Sequence, residues 1–508
     1  MRISTRFTVA CISLVSLAYV AFLGKSYETS LRGIDSNIHA KVSMDITSQG
    51  WKPVLPIPDP NSKSQAGGVY FNDHPFFYFW VNGWVMRALG PSAWSARVLT
   101  ATFSTGCVVL VLLLGASLHS SLYGFIAALF FLLTKDIILT GATVSLDPPM
   151  MFFILLSFLL WSKQNWLGVG IATGIGLWFK TPVVLLIFPT ASLIALQRGE
   201  FKTDFPKIWR AFLLALGLGS LIWIALGLVA GWPLVGDYWV RQLWGTAFNG
   251  RNLGQKIDWT MFFRMVRIGF LPGLPFLLFA AIPITRQRLW KTRPVQVSLT
   301  ALAVLILLIT PMRFKMDYYF NPVFPFLCFL AAFSVLEILK RVEEDFYSIF
   351  TGSSSVLMAF LLSTPTSLGP EAFVALKKFI PFIQSYGSCE EPILLIPGGE
   401  PIGSAHDYRL VLNFYTGRTV DIEGCESVGT VIRKNEPQWI ILSEDNYKRC
   451  LTPDEKKKFP TQIKVGHQLL LTDEIPKPSE TDLTVLDREL KPVVNCRPQP
   501  YTQDIYHR

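Results

Sequence analysis

Long apolar runs alternate with short polar connections over most of the first 364 residues. A helix that crosses a bilayer needs about 20 mostly apolar residues, and runs of roughly this length recur about eleven times. These candidate spans lie near residues 7–24, 97–117, 121–141, 148–162, 166–180, 182–197, 209–231, 263–284, 296–311, 319–338 and 346–364. The pattern therefore predicts an α-helical polytopic membrane protein with about eleven transmembrane helices.

The basic residues of the short connections predict how these helices are oriented. Arg and Lys residues concentrate near the N-terminus, in 198–210, in 285–295 and after the tenth span. Positively charged connections stay in the cytoplasm. From a cytoplasmic N-terminus, the other three clusters follow six, eight and ten spans, so all four lie inside, and the eleventh span leads out. The tail then lies on the extracytoplasmic side. We expect a multi-pass protein of the plasma (inner) membrane.

Two regions outside the spans are long enough to have structure of their own. Residues 25–96 form a large outer loop within the membrane domain, 1–365, and the tail, 385–508, mixes short β-rich runs with Gly and Pro turns. The β-rich runs are Ile393–Ile396, Trp439–Leu442 and Gln468–Leu471, and we expect the tail to be a small soluble α/β domain. In the loop, apolar residues recur every four positions and predict a helix that lies on the membrane surface: Ile34, Ile38, Val42 and Ile46.

Composition agrees with a membrane protein and argues against a nucleic-acid partner. Hydrophobic residues make up 51% of the chain and charged residues only 16%, whereas soluble domains carry about 25% charged residues. The tail has no stripe of basic residues interleaved with aromatics. It holds four cysteines whose spacing does not suit a zinc site and which are compatible with two disulfides in any of three pairings: Cys389, Cys425, Cys450 and Cys496.

Charged residues at the predicted outer face are the candidates for chemistry, because charge near a bilayer is costly and usually functional. They are Asp35, Asp73, His74, Asp147, Lys180 and Lys315. Each also has a structural alternative. Asp35 could be a helix N-cap, Asp147 could be the N-cap of a helix that begins with Pro148, and the lysines could be snorkelling ends of spans.

Four segments in order resemble the GT-C membrane glycosyltransferases of the protein O-mannosyltransferase and lipid A aminoarabinose transferase group. The segments are GIDSNIHAKVSMDITSQGWKPVLP, NDHPFFYFWVNGWVMRALGPSAWSARV, SLDPPMMFFILLSFLLW, and GIGLWFKTPVVLLIFP paired with KMDYYFNPVFPFL. The resemblance covers about residues 1–340 and implies a GT-C fold and the transfer of a sugar from a polyprenyl-phosphate carrier.

The same resemblance implies roles for individual residues. Asp35 matches the catalytic carboxylate of the first outer loop, although Ser36 follows it where many relatives have Glu. Asp147 matches the Asp of the second outer loop. Asp73 matches an acidic residue that is implicated in metal or polar contacts in some relatives, so the use of a divalent metal is left open. The positions implied to hold the donor phosphate are Lys180, Lys315, Arg97 and His74.

Such a transfer needs a base for the acceptor hydroxyl and positive charge for the departing phosphate. We expect Asp35 to be the base and Asp147 to orient the acceptor or share that role. The aromatic run Phe76–Trp80 could line the prenyl path or simply pack. We expect the acceptor to be a hydroxyl group of a lipid, a glycan or a protein. The alternatives are a transporter or flippase of lipid-linked glycans, which should show repeats and interrupted helices, and a scaffold for the tail.

Overall fold

The fold is described from a computed structural model of the whole chain, and the description is confined to part of it. The described residues are 5–23, 34–48, 74–180, 182–249, 260–270, 273–277, 289–312, 317–339, 379–380, 383, 393–396, 412, 420–422, 439–459, 461–465 and 468–472. Everything structural that follows refers to these residues.

Helices account for most of the described chain before residue 340. The α-helices are α1 (Thr5–Leu23), α2 (Ile34–Ser48), α3 (Phe77–Leu89), α4 (Ala93–Leu118), α5 (Ser121–Leu133), α6 (Lys135–Gly141), α7 (Asp147–Ser162), α8 (Trp166–Gly176), α9 (Ile187–Arg198), α10 (Phe201–Ala230), α11 (Trp232–Asp237), α12 (Met261–Gly269), α13 (Arg293–Ile309) and α14 (Phe324–Leu339). Short 3-10 helices cover Val183–Leu186, Leu289–Lys291 and Asp317–Val323, and a π-helix covers Tyr238–Asn249.

Within the described residues, three helices are long and apolar enough to cross a bilayer: α4, α10 and Tyr318–Ile338. The α5–α6 pair is a fourth candidate that bends by 71° at Thr134. Shorter apolar helices of 10–17 residues occupy most of the other predicted spans. The last predicted span, 346–364, lies outside the described residues, so the number of about eleven spans stays a prediction.

The chain divides into two compact units. The first comprises Met1–Lys25, Trp51–Val81 and Arg97–Leu368, and the second comprises Ser26–Gly50, Asn82–Ala96 and Gly369–Arg508. The predicted boundaries of 1–365 and 385–508 follow the hydropathy of the chain and are not tested by this division.

Small residues let α8 and α10 of the first unit pack closely. A Cβ added to Gly170 would lie 2.9 Å from the Ala211 carbonyl oxygen, and one added to Gly174 would lie 2.7 Å from Leu218 Cβ. Interfaces of this kind are common between membrane helices, because the driving force is close contact rather than the hydrophobic effect. The other side of α10 exposes large apolar side chains such as Leu221 and Leu228, as expected of a surface in contact with lipid.

In the second unit, helix α2 is confirmed as a helix but is buried more completely than predicted. Residues 39 to 46 are all buried, including polar ones such as His39 and Ser43. A helix on the membrane surface would bury one apolar stripe and leave its polar face in water. The stripe from Ile34 to Ile46 therefore identified the helix, whereas its polar face is enclosed by protein.

The C-terminal part of the second unit is a five-stranded mixed sheet with strand order β2-β1-β3-β5-β4. Its strands are β1 (Ile393–Ile396), β2 (Val420–Ile422), β3 (Trp439–Ser443), β4 (Thr461–Val465) and β5 (Gln468–Thr472). β1 pairs in parallel with β2 and β3, and β5 pairs antiparallel with β3 and β4. Two short helices, α15 (Glu444–Cys450) and α16 (Pro453–Lys458), follow β3. The predicted α/β tail is confirmed.

A hydrophobic cluster and a disulfide stabilise this tail. Leu394, Ile440, Leu442 and Leu471 pack in one cluster from three neighbouring strands. Cys450, at the end of α15, is disulfide-bonded. The other three tail cysteines lie outside the described residues, so the pairing stays open. Cys11, Cys107 and Cys328, which lie in apolar helices, are free.

Candidate functional site

Asp147 and Lys180, which are 33 residues apart in the sequence, form an ion pair in the first unit. The Lys180 ammonium donates to Asp147 Oδ1 over 2.5 Å. The Asp147 side chain is 3% exposed and the Lys180 side chain 16%. A buried carboxylate is stable only when it is paired, and here the lysine is the partner that still reaches solvent.

The structure decides between the two interpretations of Asp147. The residue begins α7, but the N-cap of that helix is Leu146, and no side-chain cap hydrogen bond is present. Pro148 and Pro149 follow directly and have no amide hydrogen to offer. The Asp147 carboxylate therefore serves the ion pair with Lys180 and does not cap its own helix.

Lys180 follows the end of α8 and lies close to two adjacent aromatic rings. Its ammonium lies 5.0 Å from the ring centroid of Tyr318 and 5.3 Å from that of Tyr319. A cation near aromatic faces is attracted by their quadrupoles. Lys180 is thus not a freely snorkelling end of a span. Its position is determined by one carboxylate and two tyrosine rings.

The 3-10 helix that carries both tyrosines is anchored from α6. Asn321, in that helix, is fully buried and donates from Nδ2 to Thr140 Oγ1 over 3.1 Å. Thr140 in turn donates to the Asp136 carbonyl over 2.6 Å. The hydrogen bonds of α6 therefore fix the position of the rings that flank Lys180.

An aromatic cluster lies next to this group. Phe179, which precedes Lys180, has its ring centroid 5.2 Å from Phe77, 5.4 Å from Phe103 and 5.4 Å from Phe153. Phe77 also lies edge-on to Trp178 at 5.1 Å. The predicted aromatic run therefore contributes Phe77 to a wall beside the lysine. Within the run, Tyr78 and Phe79 are buried and the other three residues are half-buried.

Asp35 and its neighbours belong to the second unit. The Asp35 carboxylate lies in the first turn of α2 and is exposed. His39, one turn later, is 5% exposed. Lys41 and Asp45 form a buried ion pair on the same helix. Burial raises the pKa of Asp45, and the Lys41 ammonium opposes that shift. Of these acids, only Asp35 is open to an incoming group.

Of the remaining predicted site residues, two lie in the part of the chain that the structure describes and two lie outside it. Arg97 in α4 is 1% exposed, and His74 is half-buried before α3. Asp73 and Lys315 lie outside the described residues. In the part of the chain that is described, there is no group of three or more His, Cys, Asp or Glu side chains placed to hold a metal ion. Metal dependence and the predicted role of Asp73 therefore remain open.

The sequence did not single out several polar residues around the pair. Tyr318 and Tyr319 lie in the segment KMDYYFNPVFPFL, but the resemblance implies no role for them. Tyr78, Thr100 and Ser145 form hydrogen bonds that lead to the start of α7. The available signal was the presence of polar side chains in apolar segments, which alone does not separate packing from function.

Comparison with known proteins identifies the fold of this chain. Residues 60–180 match the family model for dolichyl-phosphate-mannose-protein mannosyltransferase. The crystal structure of ArnT from Cupriavidus metallidurans bound to undecaprenyl phosphate superimposes with a TM-score of 0.66 at 14% identity, covering 92% of this chain and 99% of ArnT. The chain has the GT-C glycosyltransferase fold.

Two other structures agree with this GT-C assignment. ArnT in the apo state gives a TM-score of 0.67 at 13% identity, over 92% of this chain and 99% of ArnT. The archaeal oligosaccharyltransferase AglB from Archaeoglobus fulgidus, in complex with an inhibitory peptide and a dolichol-phosphate, gives 0.52 at 12% identity over 93% of this chain and 75% of AglB. A search of curated protein sequences finds no match.

These findings confirm the predicted resemblance and the predicted fold class. The family model covers less than half of the chain, and the sequences of the solved structures are less than 15% identical to it. The comparisons support the predicted class of enzyme, a membrane glycosyltransferase with a lipid-linked donor.

Proposed function

We propose that this chain is an integral membrane glycosyltransferase. It transfers a sugar from a polyprenyl-phosphate donor to a hydroxyl group of a lipid, glycan or protein. The observation that carries the proposal is the Asp147–Lys180 pair, with the lysine next to Tyr318 and Tyr319, within a fold shared with ArnT and AglB. Structures of those two proteins contain undecaprenyl phosphate and dolichol-phosphate, respectively.

The proposed reaction is a single displacement at the anomeric carbon. The acceptor oxygen forms a bond to that carbon while the bond to the phosphate oxygen breaks, which inverts the centre. Asp35, whose carboxylate is exposed, takes the proton of the acceptor hydroxyl. The leaving polyprenyl phosphate keeps the electron pair, and Lys180 stabilises its developing charge. Lys315, Arg97 and His74 are further proposed phosphate contacts.

The burial of Asp147 suggests a more specific role than that of a second base. Its carboxylate is 3% exposed and is occupied by Lys180, so it orients the lysine rather than meeting the acceptor. A donor phosphate would then compete with Asp147 for the same ammonium. Since phosphate oxygens make strong charge-assisted hydrogen bonds, the lysine can pass from the carboxylate to the donor.

We further propose that the enzyme lies in the plasma membrane, with a cytoplasmic N-terminus and an extracytoplasmic tail. The positive charges of the connections at 198–210 and 285–295 support this orientation. The disulfide at Cys450 supports it independently, since disulfides persist in oxidising compartments.

Sugar transfer by the purified protein tests the function. The full-length protein in detergent is mixed with polyprenyl-phosphate sugars and an extract of envelope lipids and glycans, and products are identified by mass spectrometry. We expect transfer by the natural protein and by Lys163→Met, a control that removes an exposed lysine after α7. Asp35→Asn and Lys180→Met should lose activity at least 100-fold. Full activity in both variants would refute the assigned roles.

Binding of undecaprenyl phosphate separates the roles of the paired residues. Lys180→Met should weaken binding by roughly 10- to 100-fold, because it removes a charge-assisted contact. Asp147→Asn should bind the lipid at least as tightly as the natural protein, since it removes the competitor, yet turnover should fall. Equal weakening in both variants would contradict the competition.

A flippase of lipid-linked glycans is the second candidate, and the 71° bend between α5 and α6 favours it, because transporters use interrupted helices. The two functions differ in covalent chemistry. A flippase moves its lipid across a bilayer and forms no product in detergent. Transfer in detergent would exclude a function limited to translocation.

A further inference from the structure

The hydroxyl of Thr100 joins three separate segments of the first unit. Thr100 Oγ1 lies 2.7 Å from the Tyr78 hydroxyl, donates to the Ser145 carbonyl over 3.3 Å and accepts from the Ser145 amide over 3.3 Å. Thr100 and Tyr78 are both fully buried. The three bonds connect α3, α4 and the segment that precedes α7.

The hydrogen count fixes the direction of these bonds. A threonine hydroxyl has one hydrogen and two lone pairs. Its hydrogen goes to the Ser145 carbonyl, so the Tyr78 hydroxyl must donate to Thr100. Burial raises the pKa of Tyr78, which keeps its phenol protonated and able to donate. Every hydrogen-bonding site of Thr100 is therefore in use.

Ser145 passes this constraint to Asp147. Its hydroxyl accepts from the Asp147 amide over 3.2 Å. Pro148 and Pro149 have no amide hydrogen. Between Asp147 and Pro149, the Asp147 amide is therefore the only backbone N–H that can donate to a side chain. With the backbone of Ser145 fixed by Thr100 and its side chain fixed to Asp147, the start of α7 has one determined position.

We infer that Tyr78, Thr100 and Ser145 are positioning residues that hold the Asp147 carboxylate on the Lys180 ammonium. The Asp147 side chain is 3% exposed and its Oδ1 accepts from Lys180, so a displacement of the turn would separate the charges and leave the carboxylate buried. This inference rests on the proposed function for its catalytic meaning, whereas the positioning itself can be measured without any sugar.

The first test is the accessibility of Lys180 to an amine-reactive reagent. An ammonium held by a carboxylate reacts slowly, because only the free amine is a nucleophile. Labelling of the full-length protein is followed by mass spectrometry, with exposed Lys163 as the internal reference. Thr100→Val should raise the Lys180-to-Lys163 labelling ratio about fivefold or more, and Thr100→Ser, which keeps the hydroxyl, should restore the natural ratio.

A threonine on the same helix gives the matched control. Thr105 Oγ1 donates to the Ala101 carbonyl of its own helix over 2.9 Å and does not take part in the network. Thr105→Val should leave the ratio unchanged. Tyr78→Phe, which removes the outer bond alone, should give an intermediate ratio and remains informative if Thr100→Val does not fold. A ratio that does not change in folded Thr100→Val or Tyr78→Phe would overturn the inference.

Kinetics give the second test and separate it from the proposed function. Thr100→Val and Tyr78→Phe should lower kcat about 10- to 100-fold, because the catalytic groups lose their alignment. The KM for the donor should stay the same or fall, because Lys180 remains and Asp147 competes less for it. In an Asp147→Asn background, the Thr100→Val change should have no further effect on labelling, whereas a general loss of packing would add to it. Additive effects there would overturn the inference.

Failure of the natural protein to transfer sugar would refute the proposed function, and the labelling result would still decide the positioning.

Discussion

Removing one charge of the Asp147–Lys180 pair should destabilise the protein far more than removing both. The perturbation is a set of three variants: Lys180→Met, Asp147→Asn and the double variant. Methionine and asparagine keep approximate size, so the difference between the variants reports charge and hydrogen bonding rather than a cavity.

The exposures predict which single variant is worse. Lys180→Met leaves a carboxylate that is 3% exposed without its counter-charge, and breaking a buried pair in this way costs about 3–5 kcal/mol. Asp147→Asn leaves a lysine that is 16% exposed and flanked by Tyr318 and Tyr319, so we expect about 1–2 kcal/mol. The double variant has no isolated charge and should lie within about 1 kcal/mol of the natural protein.

Thermal unfolding of the detergent-solubilised protein measures this order. The apparent Tm should be highest for the natural protein and the double variant, lower for Asp147→Asn and lowest for Lys180→Met. Lys163→Met, at an exposed position, is the control for loss of a lysine. The reasoning is refuted if the two single effects add in the double variant, because additivity means that the charges do not depend on each other.

Three further variants test other parts of the fold. Asn321→Leu removes the bond to Thr140 and should lower the free energy of unfolding by about 1 kcal/mol and weaken binding of undecaprenyl phosphate, measured by thermal unfolding and lipid titration. Cys450→Ser should destabilise the tail by about 2–4 kcal/mol, seen as faster limited proteolysis, and a reductant should reproduce the effect in the natural protein. Gly174→Leu places a side chain where a Cβ alone would lie 2.7 Å from Leu218, and should abolish monodisperse protein in size-exclusion chromatography.

Hydropathy and alternation predicted the elements of the fold well. Most predicted spans contain a described helix, and the β-rich runs at Ile393–Ile396, Trp439–Leu442 and Gln468–Leu471 are strands β1, β3 and β5. These patterns are local consequences of burial, so they can be read from the chain. Strands β2 and β4 are not among the predicted runs. β2 has only three residues, whereas β4 alternates clearly, with Ile463 buried between exposed Gln462 and Lys464, so its signal was present in the sequence.

The sequence predicted which residues belong to the candidate site, but it did not predict how they are arranged. Asp147 and Lys180 were both predicted, because a charge near a bilayer is costly and because both positions match the GT-C segments. Their pairing depends on how α7 packs against the end of α8, and no local sequence pattern encodes that packing. The interpretation of Asp147 as an N-cap was wrong, because the carboxylate finds a stronger partner in the tertiary structure. The convergence of Asp35 with Asp147 stays a prediction, and so do the roles of Lys315 and Asp73.

The carboxylate partner of Lys180 has a consequence for selectivity in the proposed setting. Every bilayer surrounds its proteins with phosphodiester headgroups at very high local concentration. A bare ammonium would be saturated by these bulk lipids and would seldom be vacant for a scarce donor. With Asp147 in place, an arriving anion has to displace an internal rival, so a single weak headgroup contact is insufficient. Only a ligand that contributes additional interactions along its chain and sugar gains enough to open the pair.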